Sequence, residues 1–444
     1  MSKRIGLTAI LLLFLFAVSA QKKLNYSEVD KISYGLFQHQ KWDELLRFCA
    51  EARSQGIDFF YLQARTGIAY YNLKKYRNAS GWFLKAWKND RNFEWLQEYL
   101  YYSLVFSGRG SEAIKLASGF TGQVKKRIGF SGSKLTRLAV EGGYSFNPDF
   151  GQLTNAAFGE VANVGDDYGE AFYLKNYHFE SFDLSHRLTP GISVNHNFTY
   201  ISVNREEQVD WGAHNSFPIK IKQYQYFLNP LFVVGQKLYV SPSVNFVWSD
   251  SELFRGGLDA NSGKYFYPAP LKYSDFIFST AVWSHFGNLS PGAEVNLATI
   301  NKKDFMQLSA WVTFYPFSNT SFYLIPRVYF KAAQATGFGY NTFGVSGGAQ
   351  LGQVHVYGQY LNGSMENFIE SAGYVIANFP GYSSQKFSVS FYFPEGKKYQ
   401  FVLRYINQDV TESYQVYTDG VKSNSIKYDK YIKHTLTCGI SWNF

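Results

Sequence analysis

The chain of 444 residues contains two cysteines, three methionines and only 17% charged residues. Cys49 and Cys438 fall in segments of different character, which argues against a disulfide framework or a cysteine-based metal centre. Past the first twenty residues nothing approaches the roughly 18 uninterrupted apolar residues of a membrane-spanning helix. Proline is missing from 24–120. Zinc-ligand spacing, phosphate-cradling loops and dinucleotide fingerprints are all absent, so no cofactor or metal is expected. Acidic stretches such as Asp166-Asp167, Glu206-Glu207 and Asp250 with Glu252 lack the ordered spacing of a cation loop. No serine sits in a Gly-flanked nucleophile motif. Ser185, Ser284 beside His285, and His178, His186 and His196 are all that remains of a Ser-His-acid arrangement. They read better as wall hydroxyls and rim imidazoles, and the chain is not expected to be an enzyme.

What is present starts with a basic pair, Lys3-Arg4, an apolar run from Ile5 to Val18, and the small residues Ser19 and Ala20. That combination predicts a cleaved secretory signal over 1–20, with the mature chain starting at Gln21. Aromatic residues make up 19% of the chain, with 35 Tyr and 41 Phe. So much aromatic surface without long apolar runs suits strands in which apolar and polar residues alternate.

Residues 21–120 read as helices, with apolar residues at helical spacing. Gly67, Tyr70, Tyr76, Ala79, Phe83 and Ala86 have the order and spacing of a tetratricopeptide repeat, whose period is about 34 residues. One period earlier, Trp42, Cys49 and Ala52 underlie Tyr76, Phe83 and Ala86; one period later, Ala113 and Ala117 overlie Ala79 and Phe83. This stretch therefore resembles tetratricopeptide repeats, a good match in the middle unit and degenerate in the outer two. A Gly/Ser/Lys-rich linker is expected over 121–133.

From 134 to 444 the period changes to two. In the last strand Leu436, Cys438, Ile440, Trp442 and Phe444 point one way, and Thr435, Thr437, Gly439 and Ser441 the other. Short turns near Thr189-Pro190-Gly191, Gly235-Gln236, Gly287-Asn288, Ser318-Asn319, Gly352-Gln353 and Glu395-Gly396 alternate with longer links at 147–170, 204–218, 250–271, 363–383 and 407–428. This asymmetry predicts an α+β multidomain chain: N-terminal tetratricopeptide-like helices, then a transmembrane antiparallel β-barrel of about 14 strands. Trp248, Trp283, Tyr315, Tyr405 and Trp442 are expected at its interfaces. Trp442 and Phe444 resemble the C-terminal signal read by barrel-assembly machinery. About fourteen strands leave room either for an open channel or for a long loop such as 250–271 folded in as a plug, and Arg327, Lys386 and Arg404 are candidate lumen charges.

Over 21–128 there are eighteen Lys and Arg against ten Asp and Glu, whereas the barrel segment is nearly balanced. The basic excess predicts an anionic partner for the helical domain, a periplasmic protein or polymer. Lys74, Lys75 and Arg77, in the turn of the middle repeat, are the candidate docking residues. Nucleic acid is excluded by compartment; lipid and the assembly machinery are the other expected partners. The layout resembles YaiO-type barrels and a reduced poly-N-acetylglucosamine export porin, which implies an outer-membrane conduit whose N-terminal domain lies in the periplasm. Two other readings stay open: a structural or assembly component anchored by its barrel, and an outer-membrane lipid-modifying enzyme.

Overall fold

A computed structural model describes residues 23–130, 132–160, 168–260, 263–333, 337–379, 381–394, 396, 398–418 and 423–444. The expected leader over 1–20 and the acidic pair Asp166-Asp167 lie outside the described residues. The chain divides into two compact units, the first ending at Ser107 and the second running from Gly108 to Phe444.

Among the described residues, five helices build the first unit: α1 Tyr26–Gln38, α2 Trp42–Ser54, α3 Phe60–Asn72, α4 Tyr76–Asn89 and α5 Glu94–Phe106. Asn25 opens α1 as an N-cap, its side-chain oxygen accepting from the Glu28 amide at 2.9 Å. Helices start at 26, 60 and 94, a constant step of 34 residues. Gln40 and Lys74, one step apart, both take left-handed backbone, with φ of 54° and 57°. The following amides close both turns alike, Lys41 N to Leu36 O at 3.0 Å and Lys75 N to Tyr70 O at 2.9 Å. Leu45, Cys49 and Ala52 of α2 and Ala79, Phe83 and Ala86 of α4 are wholly buried, again in equivalent positions. Tyr70 and Tyr76 are half-buried.

Gly67 lets α3 and α4 close on one ring: a Cβ there would lie 2.6 Å from Phe83 Cε1. Burial pushes the Cys49 thiol above its ordinary pKa, so it reacts only when the unit opens. In a Cys438→Ser background, Gly67→Val should overpack this contact by about 1–3 kcal/mol. Cys49 alkylation under native conditions should then accelerate roughly five- to a hundredfold. An unchanged rate would mean that Gly67 is not a packing constraint.

The second unit begins with α6 Gly110–Ala117 and α7 Gly122–Arg127. Two boundaries differ from expectation. The first unit stops at Ser107 rather than 120, and the expected linker over 121–133 contains a helix, capped by Thr121 on the Val124 amide. The cause is side-chain bonding. Lys115 Nζ donates to Val233 O at 2.6 Å and Gly235 O at 3.2 Å, and Arg109 donates to Gln236 O, tying α6 to a strand turn.

Sixteen strands follow among the described residues. In chain order they are β1 Leu135–Phe146, β2 Tyr168–Thr189, β3 Ile192–Asp210, β4 His214–Val234, β5 Leu238–Asp259, β6 Gly263–Ser284, β7 Leu289–Ile300 and β8 Lys303–Phe314, with α8 Phe150–Glu160 between β1 and β2. Then come β9 Phe322–Ala333, β10 Gly337–Leu351, β11 Val354–Gly363, β12 Phe368–Glu370, β13 Val375–Ala377, β14 Gln385–Phe393, β15 Tyr399–Thr418 and β16 Ser423–Asn443. Fourteen of them form a closed antiparallel barrel; β12 and β13 pair only with each other. Closure runs from Arg137 opposite Asn443 to Phe146 opposite His434. All six short turns fall between paired strands at the rim where β1 begins and β16 ends.

The two faces separate cleanly. Ser241, Ser243 and Asn245 of β5 are buried inside, whereas Phe246 and Trp248 are exposed outside. Val140, Phe182, Phe198, Phe276, Leu297, Phe343, Leu403 and Leu436 continue the outer apolar surface around the barrel. A patch of that extent is untenable in water and is the surface of a barrel in lipid. Trp283 departs from the expected girdle: it points inward and stacks on buried Tyr239, the ring centres 5.1 Å apart.

Three of the expected long loops are strands. The link 204–218 is mostly β3 and β4 around a three-residue turn, 250–271 is the paired end of β5 and β6, and 407–428 is mostly β15 and β16. Their polarity reads as loop because alternation fades once both faces of a strand leave the apolar layer. The candidate plug at 250–271 is therefore not one, and the lumen is filled from elsewhere.

Candidate functional site

The segment that enters the lumen is 364–384, the link between β11 and β14 that carries the β12–β13 hairpin. Barrel-wall side chains hold it by its backbone. Gln307 Nε2 donates to Ile369 O at 2.6 Å, and its Oε1 accepts from the Ile369 amide at 3.2 Å. Asn245 Nδ2 donates to Gly373 O at 2.8 Å, and Thr342 Oγ1 to Ser364 O at 2.9 Å. Asn301 reaches both Asn367 and Asn378, while Asn378 donates to Gln223 at 2.9 Å. Tyr374 OH donates to Asp183. Each such bond contributes about 1 kcal/mol net, and Gln223, Asn245, Asn301 and Gln307 supply the barrel's amides for them.

Packing completes the fit. Ile369 is fully buried against Val247, Ile277, Ile300 and Phe305 of the wall, and Phe368 and Met365 against Tyr329 and Leu361. The apolar content of this link (Met365, Phe368, Ile369, Val375, Ile376, Phe379) exceeds what a solvated loop carries. It is the one sequence signal from which the plug was readable.

The expected lumen charges do face inward, but none stands alone. Arg327 lies 3.8 Å from Glu294 and over the Trp311 ring at 4.2 Å. Arg404 pairs with Glu141 at 3.3 Å. Lys386 pairs with Glu370 of the hairpin, each side chain about nine-tenths buried or close to it. These three therefore neutralise wall and plug carboxylates.

The other candidate residues are dispersed. His186 Nε2 lies 3.1 Å from His196 Nε2, and His196 Nδ1 lies 2.9 Å from Tyr226 OH, all on the outward face. Ser185 donates to Asn195, and His178 sits 3.8 Å from Glu180. His285 meets the Ser290 hydroxyl at 2.7 Å, while Ser284 donates to Lys237 O. Trp442 and Phe444 are exposed on the outer face of the last strand. In the helical unit Lys74 and Lys75 are exposed, but Arg77 is buried at 4% exposure, its Nη1 donating to Ser107 O at 3.2 Å. That guanidinium caps the end of α5, so the expected exposed triad is a pair. Among the described residues no three His, Cys, Asp or Glu side chains are grouped to hold a metal.

Between the plug and the wall strands lies a cavity of about 610 Å³. Leu174, Ile201, Val203, Ile219 and Ile221 line its wall side and Phe379 its plug side. Four cations also line it. Arg205 is paired with Glu412 at 2.8 Å, Lys303 with Glu366 at 3.3 Å, and Lys386 with Glu370. The fourth is Lys433, 6% exposed, whose side chain has no carboxylate within 4.0 Å and donates no hydrogen bond among the described residues. Its ammonium lies 4.4 Å from the centre of the Phe379 ring and 5.7 Å from that of Tyr177.

Removing the charge of Glu370 tests the plug contact. Glu370→Gln leaves Lys386 buried without its counter-ion, a defect of about 3–5 kcal/mol. Chymotryptic cleavage within 365–380 should rise, and the double variant Glu370→Leu/Lys386→Met should restore protection. Equal cleavage in all three proteins would mean that the ion pair does not hold the segment.

No family model matches the chain, and no curated protein sequence does. Among solved structures, a FadL homologue of Pseudomonas aeruginosa is similar at 7% identity and a TM-score of 0.45, over 74% of this chain and 94% of that one. The toluene transporter TodX of P. putida is similar at 9% identity and a TM-score of 0.45, over 73% and 95%. Over 22% of this chain a MamA variant aligns at 23% identity, covering 72% of its own chain, with a TM-score of 0.20.

Proposed function

We propose that this protein is an outer-membrane conduit closed by its own 364–384 segment, with a tetratricopeptide-like helical unit that docks a periplasmic partner. The observation that carries the conduit reading is how the plug is held. Side chains such as Gln307, Asn245 and Thr342 bind its backbone, so it can leave the lumen without breaking the barrel's ladder. An even number of strands, a continuous outer apolar surface and the leader-like N-terminus support the outer membrane as the compartment.

One observation favours the alternative, in which the barrel only anchors an envelope or secretion complex. Phe150 and Leu153 of α8 pack with Tyr173, Leu174 and Tyr414, so the lumen is occupied at a second level. Planar-bilayer recordings separate the two. Replacing 366–378 with a short Gly-Ser link should turn a silent barrel into a conducting one, whereas trimming 256–266 from the β5–β6 hairpin should not. Silence in both variants would favour the anchor.

The docking role is supported by the constant 34-residue step of the helices and by the exposed pair Lys74 and Lys75. Lys74→Glu/Lys75→Glu should leave helicity unchanged and weaken crosslinked capture of an anionic periplasmic protein or polymer. Exposed charges are screened over about 8 Å at physiological ionic strength, so wild-type capture should also weaken as salt rises. Capture unaffected by both changes would point to an apolar groove instead.

A further inference from the structure

We propose that the lumen cavity binds an amphipathic monoanion, a molecule with one oxyanion head and an apolar tail, and that Lys433 is the contact for its head. This deepens the conduit reading, on which it rests for the route by which such a molecule arrives. A volume of about 610 Å³ falls within the roughly 300–1,000 Å³ of small-molecule sites. Where Ile369, Phe368 and Met365 meet the wall, plug side chains cover its apolar residues. Leu174, Ile201, Val203, Ile219 and Ile221 instead line open volume. An apolar chain entering the cavity would cover them.

The charge arrangement specifies the head. Burying an ammonium without a counter-ion is costly, and the neighbouring cations Arg205, Lys303 and Lys386 all have one. Lys433 lines the same cavity on the inward face of β16, between inward Tyr431 and Thr435. The Phe379 and Tyr177 rings offset part of the cost through their π faces. They cannot supply the lone pairs that three N–H donors require. An oxyanion head supplies them, and its tail then covers the apolar wall. A cationic head would meet like charge at Lys433. A neutral head would leave that ammonium with no anion in contact.

The test uses the full chain in phosphatidylcholine nanodiscs and radiolabelled dodecanoate in equilibrium dialysis, with empty discs subtracted. Saturable binding of one dodecanoate per chain is expected. Dodecanol and dodecyltrimethylammonium, which share the tail, should compete at least about tenfold less well. Lys433→Met should weaken dodecanoate by about ten- to a hundredfold, the usual effect of losing a charge-assisted hydrogen bond, while leaving dodecanol binding unchanged. Lys433→Arg should keep affinity within about threefold. Migration on unheated gels checks that each variant is folded, and the dodecanoate–dodecanol comparison on wild-type protein stands even where a variant fails. Binding of dodecanol as tight as that of dodecanoate, full affinity in Lys433→Met, or no saturable binding would each overturn the proposal. A plug-replaced barrel that stays silent while the intact chain binds dodecanoate would instead overturn the conduit and leave the site standing.

Discussion

A strand crossing an apolar layer has no water to accept its amide hydrogens, so every strand must have a neighbour on both sides. Pairing β1 with β16 meets that demand for the whole sheet at once. Much else follows from it. Closure brings the two ends of the barrel chain to one rim and fixes which face of each strand meets lipid. It also encloses a polar interior whose side chains need partners. Ser, Asn and Gln on the inner wall find them in the backbone of 364–384, which makes the plug and the wall mutual solutions to one hydrogen-bonding problem.

The same logic governs charge inside the barrel. Arg327, Lys386, Arg404 and Arg205 are each matched to a carboxylate, three of those carboxylates lying on the barrel wall and one on the plug itself. Against that background the lone ammonium of Lys433 is informative. In a solvated pore an unpaired lysine says little, because water completes it. In an interior where its neighbours are paired and the nearby surface is apolar, it marks a position that the protein leaves for something else to complete.

The helical unit obeys a different constraint, the close approach of paired helices. Small residues at Gly67, Ala79 and Ala86 admit that approach, and the Phe83 ring occupies the space it leaves. Left-handed turn residues one repeat apart, Gln40 and Lys74, reverse the chain at equivalent points. Repetition of the sequence becomes repetition of geometry because each helix contacts only its near neighbours.

Features set by contacts close in sequence were legible without coordinates. The change of period near residue 134, the six tight turns, the strand number near fourteen and the inward face of Lys386 and Arg404 all follow from local alternation. What required the tertiary structure are relations between residues far apart in the chain. Nothing near Arg77 announces that it caps a carbonyl thirty residues later. Polar stretches such as 204–218 and 407–428 look like loops until their pairing partners are known. Loop length is visible in sequence and makes 250–271 one candidate plug, whereas the match between Ile369 and Gln307, or between Gly373 and Asn245, is not visible. Alternation tells each residue which side of a wall it faces. Only closure decides which distant backbone fills the space behind that wall, because the hydrogen bonds that select it join segments whose separation in the chain carries no local signal.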